Sequence, residues 1–244
     1  MSLFQVFNVV LLGESEVGKT CIFKNINNEK LSKDSIQSST FNIREIEIKI
    51  SPEKTIRMKL FDIPCNEDFR FLADCYLKEA NAVYLVYDVT KKESFNEMKQ
   101  FWYEKVKNNC KEDIIIAVVA NKSDLSDERV VRDKDGIAFA KENNAIFVST
   151  TALNENSSIQ GLYLNLAKKL DDPNFDFWKD FKEIKSHNFI IREIQEDNMA
   201  HESNTNSRFD RDYEREQNRN ERHEAVEVQS ETKKKSEEKA SFCC

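Results

Sequence analysis

Phe7-Asn8-Val9-Val10-Leu11-Leu12-Gly13-Glu14-Ser15-Glu16-Val17-Gly18-Lys19-Thr20 is the stretch that decides the fold. Its apolar run, Phe7–Leu12, reads as a buried strand. The residues that follow match G-x-x-x-x-G-K-[ST], a loop whose backbone N–H groups face phosphates. A helix from Gly18 to about Asn27 completes a strand–loop–helix unit, the context that gives the pattern its meaning. Lys19 reaches the β- and γ-phosphates as a point charge, and the Thr20 hydroxyl suits Mg²⁺, a hard cation that takes oxygen ligands. The candidate phosphate site is therefore Gly13, Glu14, Ser15, Glu16, Val17, Gly18, Lys19 and Thr20, with Cys21 behind it. The chain has 244 residues and only 4 glycines. A chain so poor in glycine still places Gly13 and Gly18 in this loop. Collagen-like and glycine-rich linker classes are excluded, and so is G-x-G-x-x-G, because no two glycines sit two apart.

Outward from the loop, two periods alternate. Ile46, Ile48 and Ile50, then Ile56, Met58 and Leu60, alternate with charged residues on either side of Ser51-Pro52-Glu53-Lys54, which predicts a hairpin. Ala82–Tyr87 and Ile114–Ala120 are continuous apolar runs, as in strands buried on both faces. Helices are expected at Glu67–Lys78, Glu93–Asn109 and Asp133–Glu142, and a short strand at Ala145–Val148. Ser157–Leu170 sets Ile159, Leu162, Tyr163, Leu166, Ala167 and Leu170 on one helical face. The pattern predicts an α/β fold: a mostly parallel six-stranded sheet with one antiparallel edge strand and helices on both faces. Ligands of such sheets bind at the carboxyl ends of the strands.

A second motif, Asn121-Lys122-Ser123-Asp124, follows the run Ile114–Ala120. The Asp124 carboxylate can accept from both N1–H and the 2-amino group of guanine, a donor pair that adenine lacks. Asn121 can brace the neighbouring loops, and the Lys122 stem can cover the base. That chemistry argues against an ATP-dependent P-loop kinase.

With both motifs in place, the chain resembles the Ras superfamily of small GTPases, nearest to its Rab branch, over about Phe4–Leu170. Leu85-Val86-Tyr87-Asp88-Val89-Thr90, Ser94-Phe95 and Trp102 carry the Rab resemblance. The resemblance implies a P-loop GTPase fold, GTP/GDP with Mg²⁺, and roles for further residues. Thr40 would be the switch threonine that binds Mg²⁺ when γ-phosphate is present. Asp62 would hold Mg²⁺ through water. Thr151, Ala152 and Leu153 would form the loop whose alanine N–H meets guanine O6. Phe242-Cys243-Cys244 resembles the Rab end that accepts two geranylgeranyl groups; two lipids give stable attachment where one does not.

The chain also departs from the family pattern. D-x-x-G-Q-E stands here as Asp62-Ile63-Pro64-Cys65-Asn66-Glu67. Cys65 replaces a glycine that meets the γ-phosphate. Asn66 replaces the glutamine that orients the attacking water and is one methylene shorter, so it is a weakened catalytic candidate. Glu16 stands where Rab proteins usually have glycine. Slow intrinsic hydrolysis is the expectation, with a hydrolysis-deficient membrane scaffold as the other reading.

Three segments are expected: a small GTPase domain at 1–172, an amphipathic extension at 173–195 that reads as a further helix or a docking segment, and a disordered acidic tail at 196–244 ending in the prenylatable Cys243 and Cys244. The net charge of −7 does not suggest a nucleic-acid partner. The six cysteines and the histidines His187, His201 and His223 show no metal-ligand spacing. No apolar run spans a bilayer, and no signal peptide is evident. The resemblance implies a cytoplasmic protein, peripheral on the cytosolic face of an intracellular membrane. Its partners would be a prenylation escort, proteins of the GDP-dissociation-inhibitor type, an exchange factor and effectors.

Overall fold

The computed structural model describes residues 5–27, 40–65, 67–152, 158–180 and 191–193. The phosphate-loop unit forms as expected: strand β1 (Val6–Leu12) leads through the loop into helix α1 (Lys19–Lys24). Strands β2 (Asn42–Lys49) and β3 (Thr55–Asp62) pair antiparallel from Asn42↔Asp62 to Lys49↔Thr55. Their turn is closed by the Ile50 N–H donating to the Lys54 carbonyl at 3.0 Å. Ile46 and Ile48 point into the core while their charged neighbours do not. The two-residue period of this hairpin thus sets its register.

Helix α2 (Glu67–Lys78) leads to β4 (Ala82–Asp88), in which every residue is buried, as its unbroken apolar run implies. Next come helices α3 (Lys92–Glu97) and α4 (Tyr103–Asn109), separated by a π-helical turn at Met98–Trp102. The sequence pattern predicts one helix across this stretch. The π turn adds a residue to one turn and rotates the faces on its two sides against each other. Then follow β5 (Ile115–Asn121), α5 (Asp133–Glu142), β6 (Ile146–Ser149) and α6 (Ser158–Asp171). All six residues of the α6 stripe are buried. Truncating one of them, Leu162, to alanine would cost about 2–5 kcal/mol by the usual cavity scale.

The sheet order is β6-β5-β4-β1-β3-β2-β7. The β1–β3, β1–β4, β4–β5 and β5–β6 pairs are all parallel. The six strands expected from the sequence form the body of this sheet, with helices around it. Beyond them, a short strand β7 (Ile191–Glu193) adds antiparallel to the outer side of β2. Helix α7 (Phe177–Asp180) precedes it, with Phe177 buried and Trp178 packed against the core. The 196–244 tail lies outside the described residues, as do Cys243, Cys244 and the three histidines. No described helix is long and apolar enough to cross a membrane.

Candidate functional site

The ends of β1, β3, β4 and β5 and the loop after β6 converge at the carboxyl edge of the sheet. The loop after β1 is shaped by positive φ. Gly13 has φ +146°, and a Cβ there would run into the Val86 carbonyl of β4. Gly18 has φ +96°, and a Cβ there would strike the Asn121 amide. Both glycines are thus required by close approach as well as by conformation. Glu16 sits at φ +63°, which explains why a glycine is favourable at this position. Its side chain points to solvent and pairs with Lys91, Nζ to Oε2 at 3.0 Å. The hydrogen bond and the charge from Lys91 hold the Glu16 carboxyl below its ordinary pKa. The carboxylate is therefore turned outward, away from the concavity of the loop.

Lys19 is buried, and its ammonium donates to the carbonyls of Gly13 at 2.7 Å and Glu14 at 2.8 Å. Burial pulls its pKa below the ordinary lysine value, opposed by the nearby Cys65, Asp62 and Glu14. A desolvated cation held by backbone carbonyls is a site that an anion would complete. Glu14 is anchored in turn by Trp102 of the π turn, whose Nε1–H donates to Oε1 at 2.9 Å. Cys21, at the start of α1, is buried, which pushes its thiol up.

The two motifs touch. The Asn121 side-chain amide donates to the Val17 carbonyl at 2.8 Å. Its Oδ1 is buried with no hydrogen-bond partner among the described residues. Lys122 takes φ +63° and forms an ion pair with Asp88 at 2.7 Å. Burial opposes ionisation of Asp88, but hydrogen bonds from Lys122 and Thr90 outweigh it, so its pKa lies below the ordinary carboxylate value. Asp124 is exposed at the mouth of this loop. The Ser123 N–H donates to the Thr150 carbonyl at 3.0 Å, which joins the loop to Thr151 and Ala152, both buried. Asn25, at the end of α1, donates to the Ala152 carbonyl at 2.6 Å. Leu153 lies outside the described residues.

Of the candidate cation ligands, Thr20 and Asp62 touch, and Thr40 is joined to them through Asn42. Thr20 Oγ1 donates to Asp62 Oδ2 at 2.7 Å. The Asn42 amide donates to the Thr40 carbonyl at 2.9 Å and reaches the same Asp62 oxygen at 3.4 Å. Burial lifts the Asp62 pKa above the usual value, against the hydrogen bond from Thr20. No cluster of three or more His, Cys, Asp or Glu that could hold a metal occurs among the described residues. The Thr20 hydroxyl and the Asp62 carboxylate are hard oxygen donors, which fits Mg²⁺. Cys65 follows Asp62 closely and packs partly buried against the core. Asn66 lies outside the described residues.

The sequence model of the Ras family matches residues 8–172. The chain belongs to the Ras family. Its relatives within the family are of the Rab type. It is 34% identical over 151 residues to "Ras-related protein RABA4b" of Arabidopsis thaliana, covering 61% of this chain and 66% of the relative. It is 29% identical over 169 residues to "GTP-binding protein YPT1" of Saccharomyces cerevisiae, covering 68% of this chain and 80% of the relative. The chain is thus a Rab-like small GTPase by family.

Several supporting residues escaped the motif reading. Lys91, Asn25 and Asn42 match no pattern, and act through hydrogen bonds across the fold. Asp88 and Trp102 lie in the Rab-like stretch, but that stretch does not name their partners, Lys122 and Glu14.

Proposed function

We propose that the protein is a guanine-nucleotide switch of the Rab kind, acting in intracellular vesicle trafficking, with slow intrinsic GTP hydrolysis. The bond between Asn121 and the Val17 carbonyl carries the reading, because it joins the base-reading loop to the phosphate loop. Lys19 and the loop N–H groups would bind the phosphates. Asp124 would select guanine, and Asn121 and Ala152 would frame the base. Thr20, Thr40 and Asp62 would hold Mg²⁺, which when bound neutralises charge between phosphate oxygens. The order of Thr40 would report the γ-phosphate, and effectors would read that order. Cys243 and Cys244 would carry geranylgeranyl groups delivered with an escort. The resulting localisation is peripheral, on the cytosolic face of an intracellular membrane. An inhibitor of GDP dissociation and an exchange factor would regulate the cycle.

Titrating the full chain with GDP, a nonhydrolysable GTP analogue and ATP, with and without Mg²⁺, tests the binding. Guanine selectivity and Mg²⁺ dependence are expected; ATP outcompeting GTP would overturn the reading. Single-turnover hydrolysis tests the rate. Cys65, where the family has glycine, favours a second reading: a membrane scaffold that binds nucleotide without useful turnover. Zero turnover with full affinity would select it.

A further inference from the structure

The loop that faces the phosphates carries two carboxylates of its own, Glu14 and Glu16. Each is held by a side chain from the stretch after β4: Glu14 by the indole N–H of Trp102, Glu16 by the ammonium of Lys91. The restraints differ in kind. Trp102 is a neutral donor and directs a carboxylate without cancelling its charge. Lys91 does both.

Asp88 builds the turn that presents Lys91. Its Oδ1 accepts from the Thr90 N–H at 2.8 Å and from the Thr90 hydroxyl at 2.7 Å. Its main-chain carbonyl accepts from the Lys91 N–H at 3.1 Å. Its Oδ2 pairs with Lys122 of the base-reading motif. Glu16, Lys91, Asp88 and Lys122 thus form one charged group that joins the phosphate loop, the end of β4 and the loop after β5. Lys122 is close enough for its charge to act on Glu16, and Asp88 close enough to act on Lys91. Yet Lys122 cannot replace Lys91 as the partner of Glu16. Asp88 is fully buried, and a lysine that left it would strand a buried carboxylate.

Glu16 stands two residues before Gly18 and three before Lys19. A nucleotide in this loop brings negatively charged phosphates to it, and an uncancelled carboxylate there would oppose them. We propose that Lys91 is a positioning residue for the nucleotide: by neutralising Glu16 and turning it outward, it lets the loop carry a carboxylate and still retain a phosphate ligand. The inference rests on the guanine-nucleotide reading of the site. It makes Lys91, more than Glu16 itself, the position on which retention depends.

Release of a fluorescent GDP analogue from the full chain, followed by stopped flow with Mg²⁺ present, tests this. Lys91→Met should speed release about fivefold at low salt, where screening is weak. The pair is open to solvent, with Glu16 75% and Lys91 50% exposed. At about 1 M salt the variant and the wild type should therefore converge. In a Glu16→Gln background, Lys91→Met should change release by less than about twofold, because no carboxylate is left to neutralise. Lys91→Arg should release as slowly as the wild type. A lysine that merely supported the fold would act alike in both backgrounds and at both salt concentrations. Equal acceleration in the two backgrounds, acceleration that persists at high salt, fast release from Lys91→Arg or an unchanged rate in Lys91→Met each overturns the proposal. A wild-type chain that binds no GDP analogue overturns the nucleotide reading itself, and this inference with it.

Discussion

The half of the site that would hold base and phosphate differs from the half that would hold cation and attacking water. The first is interlocked. Lys19 has two carbonyl partners, Asn121 holds Val17, Lys122 pairs with Asp88, and Ser123 is tied to Thr150. The second half places Thr20, Thr40, Asn42 and Asp62 together, then runs into Ile63-Pro64-Cys65 and Asn66, where the family pattern is broken. On the proposed function, binding a nucleotide and cleaving it would therefore rest on separate parts of the fold. Substitution in one can leave the other intact.

The largest effect should come from breaking the first half. Lys19→Met removes a charged donor and leaves two buried carbonyls without it, so GDP affinity should fall more than about 100-fold in a calorimetric titration. Asp124→Ala should lower GDP affinity by about 10- to 100-fold while ATP binding stays as weak as before, read in the same assay. The second half can be sharpened: Cys65→Gly combined with Asn66→Gln should raise single-turnover hydrolysis about tenfold with GDP affinity unchanged. An unchanged rate would overturn the assignment of slow hydrolysis to these two positions.

Asp88 supplies a test by pH. Its folded pKa is depressed, so the folded state binds fewer protons than the unfolded chain in the acid range. The pair with Lys122 therefore contributes stability above the ordinary aspartate value of about 3.9. That contribution is lost as the pH falls through the folded value. Asp88→Asn should cost about 1.5–3 kcal/mol at neutral pH, the usual scale for hydrogen bonds to a charged group, and flatten the acid side of a denaturant-midpoint profile. The smallest effect is expected at Glu16. Glu16→Gly relieves the positive φ and loses an exposed ion pair, so GDP affinity should change by no more than about threefold.

The sheet and its helices were readable from periodicity because each element carries its own repeat. Continuous apolar runs marked β4 and β5, alternation marked β2 and β3, and the six-residue stripe marked α6. The two nucleotide motifs were readable because loop chemistry there is local in sequence. What was not readable is contact between distant residues: Trp102 with Glu14, Lys91 with Glu16, Asn25 with Ala152, Asn42 with Asp62. Periodicity says which face a residue takes, not which partner it meets. The π turn at Met98–Trp102 leaves the apolar spacing intact enough to read as a plain helix. β7 is too short to show a period, and what it pairs with is decided by an edge that lies far away in sequence.

The direction of β7 also changes where force enters the molecule. Helix α6 ends beside the β2–β3 turn, where Asp171 pairs with Lys54. β7 then runs back along β2, from Ile48 toward the Asn42 end that holds Thr40 and Asp62. An eight-residue strand such as β2 is about 26 Å long, at about 3.3 Å per residue. Its last pair, Glu193 with Ile46, lies midway along β2, so any pull on the following chain enters at the middle of this strand and not beside the end of α6.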